Sequence, residues 1–206
     1  NHIKVEDTNA QGNTGTGFYF WYTDHPHQEN CTSISNSNGV IFNTLEGGVI
    51  EGCEVTGNLA TGIILTYTSN INIVNCTVQG NVNSYGMKVD HSNSVTICNT
   101  LSYNNYHGMY LNYVDDLYSS NSFYGNNTQD GIYSDISHGQ ILQCNITDNE
   151  DDGFQYVKSE FNLTWCNIEG NKDYGMDDNG NPNRVDGAYC WWGDPSGPYH
   201  SISNPS

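Results

Sequence analysis

Pairs of aspartates recur at matching positions in the second half of the chain. Asp130 and Asp152 each directly precede a glycine, and Asp151 and Asp173 each stand two residues before one. Segments that stack on one another bring each pair to about 5 Å. With Asp177, the first pair could supply the acid and base of a glycosidase, which uses carboxylates about 5 to 10 Å apart. Asp151 and Asp173 could instead hold Ca²⁺, and the whole cluster could equally be a solvated acidic edge.

A second group of metal-ligand residue types lies near the start of the chain. Asp24, His25, His27 and Glu29 fall within six residues. Imidazole and carboxylate groups in one loop suit Zn²⁺ or a copper ion. The alternative is a polar turn that contains two histidines and no metal.

Tyrosines are frequent between residues 103 and 133. We predict that Tyr106, Tyr110 and Tyr133 bind carbohydrate, because an aromatic face with a polar handle suits the apolar face of a sugar ring. The plain alternative is that tyrosine is a good strand former. The tyrosines expected on the same exposed side are Tyr103, Tyr113, Tyr118 and Tyr124.

Five Asn-X-Ser/Thr sequences predict glycosylation acceptors if the protein is extracellular. Asn30, Asn75, Asn145 and Asn162 are expected to face outward and to be modified. Asn126 is expected to be unmodified, because it belongs to a column of turn asparagines whose amides should stack inward. Asn-rich chains also form such sequences by chance.

Three residue types recur with one period of 22 to 24 residues, which is the strongest feature of the sequence. The glycine column is Gly17, Gly39, Gly62, Gly86, Gly108, Gly131, Gly153 and Gly175. The asparagine column is Asn13, Asn36, Asn58, Asn81, Asn104, Asn126, Asn149 and Asn171. The cysteine column is Cys31, Cys53, Cys76, Cys98, Cys144, Cys166 and Cys190, with Ser120 or Asn121 filling the one gap.

Such a short coil, with three short strands and no helical periodicity, predicts an all-β parallel solenoid of about eight coils. Alternation along a strand predicts that Ile63 and Leu65 point inward and Ile64 outward. The predicted exposed stripe consists of Tyr19, Ile64, Lys88, Tyr110, Tyr133, Gln155 and Asp177. We expect the column glycines to adopt a backbone conformation that only glycine reaches cheaply. We expect the cysteines to form an inward column of free thiols, with disulfides between neighbouring coils as the alternative.

The repeat N-x-I-x-x-C/N-x-V/I-x-x-N-x(3,4)-G-I-x-L and the closing run WWGDPSGP resemble a known family. They are similar to right-handed parallel β-helix proteins of the pectate-lyase-like superfamily, with carbohydrate-binding and sugar-hydrolysis or NosD-like repeats. The resemblance implies a right-handed single-stranded parallel β-helix in a secreted or surface protein. It identifies the fold better than an activity, because the scaffold carries many functions.

Composition restricts the partners. The formal net charge is −18, from 23 acidic and 5 basic residues, which disfavours nucleic acid and anionic lipid. The scattered basic residues also disfavour a lyase, which needs cations to neutralise a uronide. No apolar stretch is long enough to span a membrane. We interpret residues 1–206 as one domain, with an irregular first coil (1–30) and a closing segment (188–206), from a longer protein.

The leading hypothesis is an extracellular or cell-surface module that forms assemblies by head-to-tail stacking and binds carbohydrate. The alternatives are a polysaccharide-acting enzyme that uses the acidic cluster, and a metal-binding NosD-like protein. No cofactor is required in the leading hypothesis, although calcium fits the acidic cluster. The predicted partners are therefore carbohydrate or further copies of the chain.

Overall fold

The computed structural model describes residues 2–179 and 185–193, and these residues form parallel strands and turns. No helix in that part of the chain has the length and apolar character needed to cross a membrane. The closing run from Asp194 onward, which carries part of the family resemblance, lies outside the described residues.

Short strands follow one another along the chain. The first ten are β1 (His2–Glu6), β2 (Asn9–Gln11), β3 (Thr16–Trp21), β4 (Asp24–Glu29), β5 (Thr32–Ile34), β6 (Asn38–Glu51), β7 (Glu54–Thr56), β8 (Ile63–Val74), β9 (Thr77–Gln79) and β10 (Met87–Cys98). The others are β11 (Leu101–Tyr103), β12 (Met109–Ser120), β13 (Phe123–Gly125), β14 (Ile132–Asp135), β15 (His138–Leu142), β16 (Asn145–Thr147), β17 (Phe154–Val157), β18 (Glu160–Thr164), β19 (Asn167–Glu169), β20 (Met176–Asp177) and β21 (Val185–Asp186).

Each coil adds strands to two sheets, and all pairs are parallel. A three-residue strand joins an eight-stranded sheet, in the order β19-β16-β13-β11-β9-β7-β5-β2. The rest of the coil joins a thirteen-stranded sheet through two arms. The first arm follows the column glycine, as residues 63–66 do in β8, and the second arm precedes the next short strand, as residues 71–74 do. In β8 the two arms form one bent strand, because Tyr67 and Asn70 take left-handed backbone with φ of 53° and 56°. The fold is thus the predicted all-β solenoid of about eight coils.

Alternation along the first arm separates core from surface as predicted. Ile63 and Leu65 are fully buried, and Leu65 lies in register with the buried Phe42 and Val89. The outward residues form one row in register along the solenoid, which we call the outer row. It consists of Tyr19, Ile41, Ile64, Lys88, Tyr110, Tyr133, Gln155 and Asp177.

The column positions require glycine for a different physical reason from the predicted one. None of them has a left-handed φ. A Cβ on Gly39 would lie 2.3 Å from the backbone oxygen of Gly62, and one on Gly62 would lie 2.6 Å from that of Gly86. Close stacking of neighbouring coils therefore excludes a side chain, and the expectation of a special backbone conformation was wrong.

The asparagine column forms a ladder of buried amides, with a correction in two coils. Asn58 N–H donates to Asn81 Oδ1 at 3.0 Å, and Asn81 N–H donates to Asn105 Oδ1 at 3.0 Å. The ladder residues here are Asn105 and Asn127, whereas Asn104 and the predicted Asn126 are exposed. Because Asn126 faces outward, the stated reason for its being unmodified was wrong.

The four predicted glycosylation acceptors are all exposed. Asn30, Asn75 and Asn145 lie at or next to the corner before the short strand, and Asn162 lies outward on β18. Their modification stays a prediction.

The cysteine column is also corrected, in two coils. All seven cysteines are free thiols. Thr100 and Ser122 fill the column between Cys76 and Cys144, as shown by Cys76 N–H donating to Thr100 Oγ1 at 3.4 Å and Thr100 N–H donating to Ser122 Oγ at 3.2 Å. Cys98 instead ends β10, opposite Ser120, so its place in the column was wrong. The prediction that Ser120 or Asn121 fills the gap was wrong as well, because Ser122 fills it. A hydroxyl and a thiol are interchangeable here because each can accept from the backbone of the preceding coil.

Candidate functional site

The outer row becomes aromatic and polar in the second half of the solenoid. The rings of Tyr110 and Tyr133 are parallel within 2°, with centroids 5.3 Å apart. The ring of Tyr85 lies 4.5 Å from that of Tyr110. Burial raises the pKa of all three phenols, so they stay protonated and able to donate hydrogen bonds. Gln155 and Asp177 continue the row beyond Tyr133.

A second row borders these tyrosines at the corner that precedes each column glycine. Tyr85, His107, Asp130 and Asp152 occupy this corner in successive coils. The Nδ1 atom of His107 lies 3.1 Å from Asp130 Oδ2, within ion-pair distance. The geometry is nevertheless poor for a hydrogen bond, and Nδ1 is buried without another partner. The His107 imidazole packs between the rings of Tyr85 and Tyr133, at 5.6 and 5.8 Å.

The two corner aspartates are used by the backbone of the next coil. Asp130 Oδ1 accepts from Asp152 N–H at 3.1 Å, and Asp152 Oδ1 accepts from Tyr174 N–H at 2.9 Å. Each residue is only 2% exposed. Asn38 makes the same contact in an early coil, where its Oδ1 accepts from Thr61 N–H at 3.3 Å. A structural role shared with an asparagine explains why these carboxylates lie at the corner.

The structure brings the three predicted catalytic aspartates into one cluster. Gln155 Nε2 donates to Asp152 Oδ2 at 3.1 Å and to Asp177 Oδ2 at 3.3 Å. Burial raises the pKa of Asp152 to about 6, and the negative charges of Asp130, Asp151 and Asp177 add to this rise. Asp152 therefore exchanges its proton close to neutral pH, which is the property of a general acid.

The predicted calcium pair is only partly brought together. Asp173 is exposed, and its N–H donates to the backbone oxygen of Asp151 at 3.2 Å. Among the described residues, Asp130, Asp151 and Asp152 form a compact group of potential metal ligands, because their carboxylate oxygens all lie within 4.8 Å of one another. Burial raises the pKa of Asp151, and the charges of Asp130 and Asp173 raise it further.

We expect Asp152 to make the protein less stable as the pH rises. Its folded pKa of about 6 lies above the ordinary value of 3.8, so the fold retains a proton that the unfolded chain loses. Below about pH 4 both states are protonated, and between about pH 4 and 6 stability falls by up to about 3 kcal/mol. Asp152→Asn should remove this loss, since its amide oxygen still accepts from Tyr174 N–H. Chemical denaturation between pH 3.5 and 7.5 measures the difference.

The matched control is Asp173→Asn, which removes an exposed carboxylate of the same cluster. Its pH profile should follow that of the parent. If the free energy of unfolding changed with pH in the same way in the parent and in Asp152→Asn, Asp152 would have an ordinary pKa.

The three tyrosines predicted to bind sugar lie near one another. The other tyrosines predicted on that exposed side do not form one surface with them. Tyr106 is 40% exposed and meets His107 edge to face, at 4.7 Å and 85°. Tyr124 is fully buried, and its hydroxyl lies 2.8 Å from Ser119 Oγ, so its predicted exposure was wrong. It is the middle residue of β13, which points inward as Val55 and Val78 do in the equivalent strands. Tyr103 lies on the other sheet, on β11, and Tyr118 on the second arm.

The predicted early metal-ligand set divides into two parts. Asp24 Oδ1 contacts His25 Nδ1 at 2.5 Å, and both side chains are exposed. His25 has left-handed backbone, with φ of 43°, which interrupts the alternation of β4. His27 and Glu29 lie further along β4, where His27 Nε2 is 3.8 Å from Glu29 Oε2 and 3.8 Å from Glu51 Oε2 of the next coil.

Sequence reasoning missed two members of these groups and gave two others no role. Tyr85 was missed, although it precedes its column glycine as Asp130 and Asp152 do. Stacking of the coils predicts that His107 lies next to Asp130, and the structure confirms this, but the sequence assigned His107 no role. Gln155 was predicted to be outward but was given no role, and it joins the carboxylates. Glu51 stands 22 residues after Glu29, one coil on.

The sequence matches two family models. Residues 61–188 match the model described as "Right handed beta helix region", and residues 1–84 match "Periplasmic copper-binding protein (NosD)". A search of the curated proteins finds no match.

Three solved structures illustrate the structural similarity. The periplasmic alginate epimerase AlgG has a TM-score of 0.85 at 15% identity, covering 93% of this chain and 50% of that chain. Pectate lyase Pel9A has a TM-score of 0.61 at 12% identity, covering 79% and 56%. The A-module of the Azotobacter vinelandii mannuronan C-5 epimerase AlgE6 has a TM-score of 0.53 at 13% identity, covering 90% and 76%.

The described chain spans about half the length of AlgG, and identities this low show the fold alone. The family-model match is different in kind, because it covers more than half of the chain. With the parallel coils, the inward alternation and this match, the chain belongs to the right-handed beta helix family.

Proposed function

We propose that the chain is a carbohydrate-binding β-helix module whose binding face is the outer row from Lys88 to Asp177. The observation that carries the proposal is the pair of parallel half-buried rings of Tyr110 and Tyr133, in register with Gln155 and Asp177. Each coil then presents one hydrogen-bonding side chain, at about the 4.8 Å spacing of the strands. Phenol, amide and carboxylate groups are partners for the hydroxyls of a glycan.

The charge of this face favours a neutral glycan. Asp130, Asp151, Asp152 and Asp177 crowd one end of the row, and Lys88 is its one basic member. The chain as a whole carries a net charge of −18. A polyuronate would be repelled by this field, whereas sugar hydroxyls donate readily to carboxylates.

The comparisons support a carbohydrate partner and a location outside the cytoplasm. The similar structures are named for action on alginate, pectate and mannuronan, and AlgG is described as periplasmic. The names alginate, pectate and mannuronan denote polymers of acidic sugars. The proposed preference of this chain for a neutral glycan therefore comes from its own charges. We propose a secreted or surface-exposed module on the same grounds.

We expect Tyr133→Ala to weaken glycan binding at least tenfold, because the substitution removes one ring of the parallel pair and exposes His107 and Asp130 to solvent. Affinity electrophoresis in xylan, mixed-linkage glucan, galactomannan, alginate and polygalacturonate measures the retardation of each protein. The control is Tyr118→Ala, on the second arm and away from the row. Binding to alginate or polygalacturonate alone, or equal binding by the Tyr133 variant, would contradict the proposal.

A second candidate is a polysaccharide-acting enzyme, favoured by the raised pKa of Asp152 beside a second carboxylate. The burial of Asp130 and Asp152 and their bonds to backbone N–H groups argue against it, because each has one oxygen engaged. The same glycan panel can be assayed for new reducing ends and for unsaturated products. Activity that disappears in Asp152→Asn would favour the enzyme over the binding module.

Head-to-tail assembly stays a prediction from the sequence. Within the described residues, β1, β2 and β3 pair with strands of the following coil on one side only. Their other edges offer backbone groups to further coils, whether from flanking sequence or from a second copy.

A further inference from the structure

Three aromatic side chains follow one another along the bend between the two arms. They belong to β8, β10 and β12, and the residues just before them lie in strand register. The ring centroids of Tyr67 and His91 are 5.2 Å apart, and those of His91 and Tyr113 are 4.9 Å apart. Tyr67 is 60% exposed and Tyr113 is 49% exposed, so the fold itself does not cover these rings. We call Tyr67, His91 and Tyr113 the bend strip.

The backbone of the bend does not require aromatic residues. All three members of the bend strip have left-handed backbone, with φ of 53°, 46° and 51°. The same bend also has left-handed backbone in other coils, where it is occupied by Thr44, Ile136 and Lys158. The aromatic run on these three coils therefore needs another explanation.

The middle ring of the bend strip is held by a carboxylate. His91 Nδ1 lies 2.9 Å from Asp90 Oδ1, and the same oxygen accepts from Asn112 Nδ2 at 2.7 Å. Asp90 Oδ2 lies 3.7 Å from Nζ of Lys88, which belongs to the outer row. Asp90 thus connects the bend strip to the proposed glycan face.

A hollow of about 280 Å³ opens beside the last ring of the bend strip. It is lined by Tyr113, Val114, Asp115, Ile136 and His138. Tyr113, Val114 and Ile136 supply apolar walls, whereas Asp115 and His138 are exposed polar groups with Asp115 Oδ1 3.7 Å from His138 Nδ1. Apolar walls with a few polar groups are typical of small-ligand sites, and a sugar ring offers an apolar face together with hydroxyls.

The bend strip runs parallel to the outer row. Tyr113 follows Tyr110 by three residues on β12, which corresponds to about 10 Å along the strand. A linear glycan on the outer row would leave the bend strip uncovered. A glycan with sugars attached to the side of its main chain could reach both.

We propose that the bend strip and the hollow beside Tyr113 bind a side-branch sugar of a neutral glycan whose main chain lies along the outer row. This inference rests on the proposed glycan face and narrows its ligand to branched glycans. The side-branch sugar packs against Tyr113 and Ile136, and its hydroxyls bond to Asp115 and His138.

Affinity electrophoresis in galactomannan and in arabinoxylan, each before and after enzymatic removal of side-branch sugars, tests the proposal. We expect the parent to bind the branched form of at least one glycan at least threefold more tightly than its debranched form. Tyr113→Asn should bind both forms as the parent binds the debranched one. Asparagine tolerates the left-handed backbone and removes the ring.

The matched control is Tyr22→Asn. Tyr22 is 70% exposed and has φ of 48° at the same bend of the first coil, where Thr44 of the next coil separates it from the bend strip. This variant should keep the preference for the branched form. Both substitutions lie at the surface, so the Tm of each variant should stay within about 2 °C of that of the parent.

Three results would each overturn the inference. They are equal binding of branched and debranched forms by the parent, a preference retained in Tyr113→Asn, and a preference lost in Tyr22→Asn. Equal binding of both forms would leave the proposed glycan face intact. Retardation by none of the glycans would overturn the glycan face and this inference together.

Discussion

Leu65→Asp should strongly lower the free energy of unfolding of the solenoid. The side chain is fully buried between the in-register Phe42 and Val89, so an aspartate there loses its water without gaining a partner. We expect a loss of about 4 kcal/mol or more, which corresponds to a fall in Tm of about 10 °C or more in a chain of this size. Differential scanning calorimetry measures the change.

Asn72→Asp is the control for this experiment, because it places the same carboxylate on the outer side of the same strand, β8. Its Tm should stay within about 2 °C of that of the parent. Similar losses at both positions would mean that the alternation of β8 is misassigned.

Asn105→Ala should have the second-largest effect, because one amide satisfies three neighbouring polar groups. Its Oδ1 accepts from Asn81 N–H at 3.0 Å and from Asn81 Nδ2 at 2.9 Å. Its Nδ2 donates to the backbone oxygen of Val78 at 3.1 Å. Alanine leaves these buried groups unpaired, and we expect a loss of about 3 kcal/mol in the free energy of unfolding.

The neighbouring Asn104 offers a matched comparison. It is exposed and has left-handed backbone, with φ of 55°, so Asn104→Gly keeps the conformation and should change stability by less than about 1 kcal/mol. Urea unfolding of both variants measures the contrast. If Asn104→Gly were the more damaging change, the ladder would run through Asn104, as the even spacing of the sequence predicts.

The candidate site was only partly accessible to sequence reasoning. The period brings Asp130 next to Asp152, and the structure confirms this contact. Spacing alone does not say that a carboxylate binds the N–H group of the next coil, because that bond depends on how the corner turns. Tyr124 shows the same limit, since its position in a three-residue strand decided whether its ring faced the core or the solvent.

The sequence by itself determined the period, the stacking and the inward face of the strands that follow the column glycines. These follow from repeated glycines and alternating apolar residues such as Ile63 and Leu65, and they need no knowledge of long-range contacts.

Only the tertiary structure decided which of two adjacent asparagines enters the ladder. The coil leading from Asn81 to Asn105 is 24 residues long, and the next, to Asn127, is 22. Asparagine suits both available roles, the left-handed corner and the buried amide, so residue type cannot distinguish Asn104 from Asn105. The choice is made by the hydrogen bonds to Asn81 and Asn127 in the neighbouring coils, which exist only once the coils have stacked.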